Sequence, residues 1–177
     1  MELWRPVLRL ILLAASVSGV AGVPATAAVE ISFYSREFGV NNFPHAFVVL
    51  KGRLDSGGSV IDESYGFTAK AITPAILMGS VGGKVIREPA SYIAKSDKQF
   101  ALVLSDEAYG SVSQIVDAWR AKAQPSYNLN KSNCLHFVGE VAKAAGLNVT
   151  FAPALMKKPR AFLAAIRDEN EDLIVAR

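Results

Sequence analysis

Pro44-His45-Ala46-Phe47-Val48-Val49-Leu50 is the most strongly strand-forming stretch of the chain. It is dense in β-branched and aromatic side chains, which suit a pleated, half-buried surface. Downstream, Asp55-Ser56-Gly57-Gly58 is a turn signal, and Val60 to Thr68 reads as the returning strand. The two make a β-hairpin. Upstream, Glu30-Ile31-Ser32-Phe33-Tyr34-Ser35 alternates as a further short strand, followed by a polar loop at Gly39-Val40-Asn41-Asn42.

Beyond the hairpin the pattern changes. Glycines and prolines break residues 69–97, which read as a loop with one short strand near Lys84-Val85-Ile86-Arg87. Gln99 to Leu104 is another strand, with Phe100, Leu102 and Leu104 on one face. Ser105-Asp106-Glu107 opens a helix, because Ser caps free amides and acids suit the positive end of the dipole. Tyr109, Val112, Val116, Trp119 and Ala123 follow at helical spacing. A second helix runs from Cys134 to Ala145 with Gly146 as its cap, and a third starts at Pro159 and packs through Phe162, Leu163 and Ile166. These elements predict an α+β fold, a mainly antiparallel sheet packed against helices.

The N-terminus has the three parts of a secretory signal. Arg5 and Arg9 are basic, Leu10 to Val23 is uncharged and apolar, and Pro24-Ala25-Thr26-Ala27-Ala28 supplies small residues. Residues 1–27 are therefore expected to be a signal peptide, and 28–177 a single domain in the periplasm or secreted. Roughly 150 residues suffice for one core. The net charge of +3, with no basic block interleaved with aromatics, argues against nucleic acid as a partner. No later apolar run is long enough to cross a membrane, so the exported domain is expected to be a monomer without a stable span.

The chain has one cysteine and two histidines. A single cysteine cannot form an internal disulfide, so in an exported chain Cys134 is an intermolecular partner, a reactive thiol or an inert core residue. Its place favours reactivity. Ser132 or Asn133 could cap the helix, and the helix start offers Cys134 unpaired amides and partial positive charge, which favour a thiolate and could hold an oxyanion. Its base would be a histidine. His136 lies two residues on, on another helical face with Glu140 and Lys143, and reads as a surface residue. His45, heading the apolar strand, is the better partner. A third group should orient it from the neighbouring strand, where Asp62, Glu63, Ser64 and Thr68 are available. A four-residue turn pairs position 45 near 68 and puts Ser64 on the His45 face; a one-residue slip selects Glu63. Ser64 is favoured. No metal-ligand spacing is present, and neither metal nor cofactor is expected.

Pro44-His45-Ala46-Phe47-Val48-Val49-Leu50, then Tyr127-Asn128-Leu129 and Asn133-Cys134-Leu135-His136-Phe137-Val138, resembles the circularly permuted papain-like hydrolases. These belong to the NlpC-type cell-wall peptidase superfamily and include the lecithin retinol acyltransferase-like proteins. The resemblance covers about residues 43–68 and 98–147 and has the permuted order, His before Cys. It implies a papain-like fold, Cys134 as nucleophile, His45 as base and Tyr127 beside the oxyanion. Relatives often carry His, Asn or Gln as the third residue, which this hairpin strand lacks after Ser56. The expected function is an exported cysteine hydrolase cleaving an amide bond in peptidoglycan peptides. The alternatives are a lipid acyltransferase or thioesterase of the same fold, and a non-catalytic binding domain.

Overall fold

The computed structural model describes residues 28–37, 39, 43–58, 60–122 and 126–174. The expected signal peptide, most of the 39–42 loop and Ala123 lie outside them. The strands are β1 (Val29–Arg36), β2 (His45–Gly52), β3 (Ile61–Ala69), β4 (Val81–Ile86), β5 (Asp97–Leu104) and β6 (Ser126–Tyr127). The helices are α1 (Ala75–Met78), α2 (Ala90–Ile93), α3 (Asp106–Ala121), α4 (Cys134–Ala144) and α5 (Pro159–Asp168). The strands form one antiparallel sheet in the order β5-β1-β2-β3-β4-β6, with helices packed on it. The fold is the α+β, papain-like arrangement, with a cysteine at a helix N-terminus.

Alternation along the strands explains the layers. Ile31 and Phe33 of β1, Val48 and Leu50 of β2, and Leu102 and Leu104 of β5 are buried in the core. α3 starts where Ser105 accepts the Ala108 amide, and it buries Val112, Val116 and Trp119. Trp119 ties three elements together. Its ring meets Phe67 of β3 at 4.7 Å and Phe137 of α4 at 5.5 Å, both edge-on, and its indole N–H donates to Glu140 at 2.6 Å. Edge-on aromatic pairs add about 0.5–1.5 kcal/mol each beyond their buried area.

The 69–97 region is more ordered than its glycines suggest. Gly82 and Gly83 lie inside β4 rather than in a loop. A side chain at Gly83 would put its Cβ 2.4 Å from the Phe67 ring, so this glycine marks a close approach, not a break. The sequence pattern missed this because the strand's partner is an aromatic ring from β3.

Phe137→Ala removes a fully buried ring from the junction of α3, α4 and β3. It should lower unfolding free energy by about 3–5 kcal/mol in a denaturant titration.

Candidate active site

The β2–β3 ladder runs from Gly52↔Ile61 to Val48↔Tyr65. Continued, it sets 45 opposite 68, the register expected from the turn. Val49 and Ser64 face each other directly, and the two-residue period places His45, Phe47 and Gly66 on their side of the sheet. On the other flank of β3, Gly66 pairs with Ile86 of β4, so Ser64 comes opposite Glu88, two residues past Ile86.

That register brings Glu88, not Ser64, to His45. The His45 Nε2 lies 3.0 Å from Glu88 Oε1. The expected role of Ser64 is corrected accordingly: its hydroxyl donates to the Glu88 carbonyl at 3.1 Å and accepts the Glu88 amide at 2.9 Å. Ser64 stands in for a ladder partner and fixes the backbone that carries the carboxylate. Of the other hairpin candidates, Asp62 points to Lys51 at 3.7 Å and Glu63 to the Tyr109 hydroxyl at 3.4 Å, while Thr68 lines the cavity shared with His45. Gly66 lies beneath the pair. A Cβ there would fall 2.7 Å from His45 Nε2 and 2.6 Å from Glu88 Oε1, so any larger residue would occupy their space.

Cys134 reaches the same ring from α4. It lies close enough for its side chain to raise the His45 pKa by hydrogen bonding and charge, while Nε2 of that ring is held by Glu88. The helix start is built by Asn133. Its Oδ1 accepts the amides of Leu135 at 2.8 Å and His136 at 3.2 Å, and its side-chain amide donates to the Leu129 and Met156 carbonyls. The Phe137 amide goes to the Asn133 carbonyl. Among the described residues, the Cys134 amide is the donor of this first turn left for a ligand.

His136 is not the surface residue expected. It is half-buried, accepts the Asn133 amide on Nδ1 at 3.2 Å, and stacks on Phe151. It closes a reciprocal capping box, with histidine in the place usually held by Glu or Gln. Burial lowers its pKa, against a smaller upward push from Glu140, so it caps as the neutral base.

The electrostatics converge on His45, whose side chain is 12% exposed. Burial pulls its pKa down, but the hydrogen bonds and charges of Cys134 and Glu88 outweigh this and raise it to about 9. Burial also pushes the Tyr127 phenol far above its ordinary range, helped by the charge of Cys134 and a side-chain hydrogen bond to it. Tyr127 therefore stays a neutral donor beside the sulfur. Tyr92 of α2 walls the other side, edge-on to His45 at 6.4 Å and beneath the Arg36 guanidinium.

A cavity of about 450 Å³ opens over the dyad. Apart from His45, Glu88, Tyr127 and Cys134, its walls are largely apolar and include Ile72, Ile76, Leu77, Leu129 and Met156. Glu88 lies just past the short strand expected near Lys84–Arg87, in a stretch whose glycines and prolines read as loop, so nothing local marked it as a partner of His45. One signal was available: it is the only acid between Glu63 and Asp97, and it stands before a proline. Among the described residues no cluster of His, Cys, Asp and Glu could hold a metal ion, and no helix is long and apolar enough to cross a membrane.

No protein-family model matches the chain, and no curated protein matches it. Among solved structures, the type VI secretion system effector TseH is similar, with a TM-score of 0.50 and 15% identity over 85% of this chain and 98% of that one. At that identity the likeness is one of fold.

Two outcomes test this geometry. A histidine whose folded pKa exceeds its unfolded 6.5 stabilises the fold fully below 6.5, and that contribution is lost as pH rises through about 9. The loss should be on the order of a few kcal/mol in wild type, read from denaturant midpoints across that window. In Glu88→Gln the decline should be shallower and the imidazole NMR titration should move to lower pH. Gly66→Ala should lower the His45 pKa likewise, because the added methyl drives the ring from Glu88. It should keep the native circular dichroism spectrum while costing about 1–3 kcal/mol of stability.

Proposed function

We propose that this chain is an exported cysteine hydrolase of the permuted NlpC-type branch that cleaves an amide bond in peptidoglycan peptides. The observation that carries this reading is the buried Cys134–His45–Glu88 line at the wall of a substrate-sized cavity. The nucleophile sits on a helix start, the base on a strand, and a carboxylate orients the base, as acyl transfer through a thiol requires. The fold likeness to a secretion-system effector supports export. The same reading has residues 28–177 act as one monomeric domain, without metal or cofactor.

In the proposed cycle the Cys134 thiolate attacks the scissile carbonyl carbon. The oxyanion is held by the Cys134 amide and the Tyr127 hydroxyl. As the C–N bond breaks, protonated His45 gives its proton to the leaving amine, and the acyl group remains on sulfur. Water then attacks this thioester while His45 takes a proton from it. The C–S bond breaks, the carboxylic acid leaves, and the thiolate–imidazolium pair returns. Glu88 holds the ring throughout as a positioning residue, and Ser64 holds Glu88.

A second reading, transfer or hydrolysis of a lipid acyl group, has its own observation in the apolar walls at Ile72, Ile76, Leu77, Leu129 and Met156. The two readings share the acyl-enzyme and differ in the group that fills the cavity.

Purified cell-wall sacculi and a long-chain acyl thioester should be offered side by side. Release of new amino termini from sacculi supports the amide reading, and turnover of the thioester alone transfers the assignment to the second. Cys134→Ala and His45→Ala should each lose at least about a thousandfold in turnover. Iodoacetamide labelling of Cys134 at neutral pH should be much slower in His45→Ala than in wild type. Labelling unchanged by the histidine substitution would sink both readings.

A further inference from the structure

The chain between β3 and β4, residues 70–80, contradicts the usual economy of a soluble surface. α1 is one turn long, buries none of its residues and has no side-chain cap. Its Leu77 is 79% exposed and Met78 89%, and Ile72 ahead of it is also exposed. Ile72 and Leu77 line the cavity mouth, so the exposed apolar surface is continuous with the walls of the site. Nothing else in the fold requires these side chains to face water, and such patches mark interaction sites.

Among the described residues, the unpaired charge around this rim is positive. Every residue lining the cavity lies in a stretch of chain whose only acid is Glu88, or in 43–45. No acid occurs in 64–87, in 118–139 or in 141–167. The remaining acids lie near the N-terminus, in and just after β1, in the hairpin, at the start of β5, in α3, in the far part of α4 and in the C-terminal segment, and the two that approach the rim beside Pro159, Glu37 and Asp97, are both paired with Arg160. Glu88 is itself buried against His45. Lys157 lines the mouth, with Lys158 beside it and Lys70 next to Ala69 of the wall, all three exposed and without an ion-pair partner among the described residues.

We infer that this rim docks on an anionic lipid bilayer, with Ile72, Leu77 and Met78 entering the headgroup–acyl boundary and Lys70, Lys157 and Lys158 meeting lipid phosphates. Large apolar side chains flanked by lysines suit that interface, and each lysine near an anionic surface adds attraction that salt screens. A peptide groove would call for polar partners along the rim, and the exposed rim side chains named here offer mainly hydrocarbon and ammonium. Docking there would turn the cavity mouth toward the membrane, so that material in the bilayer reaches Cys134 without crossing water. The contact itself needs no catalysis and stands or falls apart from the hydrolase reading.

The test places an environment-sensitive fluorophore on the full chain through Met78→Cys in a Cys134→Ala background. Vesicles of phosphatidylcholine with a third phosphatidylglycerol should give a blue shift at 78, reduced by raised salt. The same label at Val103→Cys, on exposed β5, should stay water-like. Because each protein carries the same N-terminus, an apolar leader that held the chain to vesicles would not by itself move the label at 78. Lys157→Glu with Lys158→Glu should weaken the response at least roughly tenfold in lipid concentration. The inference is overturned if labels at 78 and 103 respond alike, or if pure phosphatidylcholine gives the full shift. A shift at 78 that grows with protein concentration without vesicles would assign the rim to a second copy of the chain and likewise overturn it.

Discussion

The hydrogen bond from His45 to Glu88 is the constraint around which the site is arranged. A buried carboxylate is costly unless a cation and further hydrogen bonds compensate it. Here the carboxylate meets an imidazole whose pKa is raised, and its backbone is anchored at both polar atoms by Ser64. Gly66 leaves the space in which the pair meets. Three strands are thereby committed: β2 supplies the base, β3 the clamp and the gap, and the end of β4 the acid.

The second arm of the site is the start of α4. Asn133 uses all its polar capacity there, accepting two amides and donating to two carbonyls, while His136 returns the bond on its backbone. This fixes Cys134 at the first helical position and consumes the competing donors. The nearby histidine is thus part of the cap, and the distant one is the partner of the thiol. A short sequence separation would have suggested the reverse.

The cavity over these groups joins two kinds of surface. At its floor are a thiol, an imidazole and a phenol, the last two tuned by burial and by their neighbours. At its mouth are aliphatic side chains that extend onto the exposed face of α1. In the proposed reading the floor carries acyl transfer, and recognition at the mouth depends on which apolar surface meets it. The chain from the end of β3 through β4 therefore does two jobs, carrying α1 outward and then, just past β4, Glu88 inward.

Much of this was legible from residues alone. The alternation in 45–50 and in 99–104, the Ser105 cap, and the 3.6-residue stripes of α3, α4 and α5 identified the elements, because those periods are local. The turn length fixed the register that sets 45 opposite 68, and the helix start singled out Cys134. Tertiary structure alone decided what steadies His45. Glu88 comes to it through the pairing of β3 with β4, whose glycines read as breaks because the ring that fills their place belongs to Phe67. Ser64 was on the expected face but one strand short of its expected role. The physical reason is range: caps, turns and periodicity act within a few residues, whereas the partner of a buried charge is chosen by strands that meet only when the sheet closes.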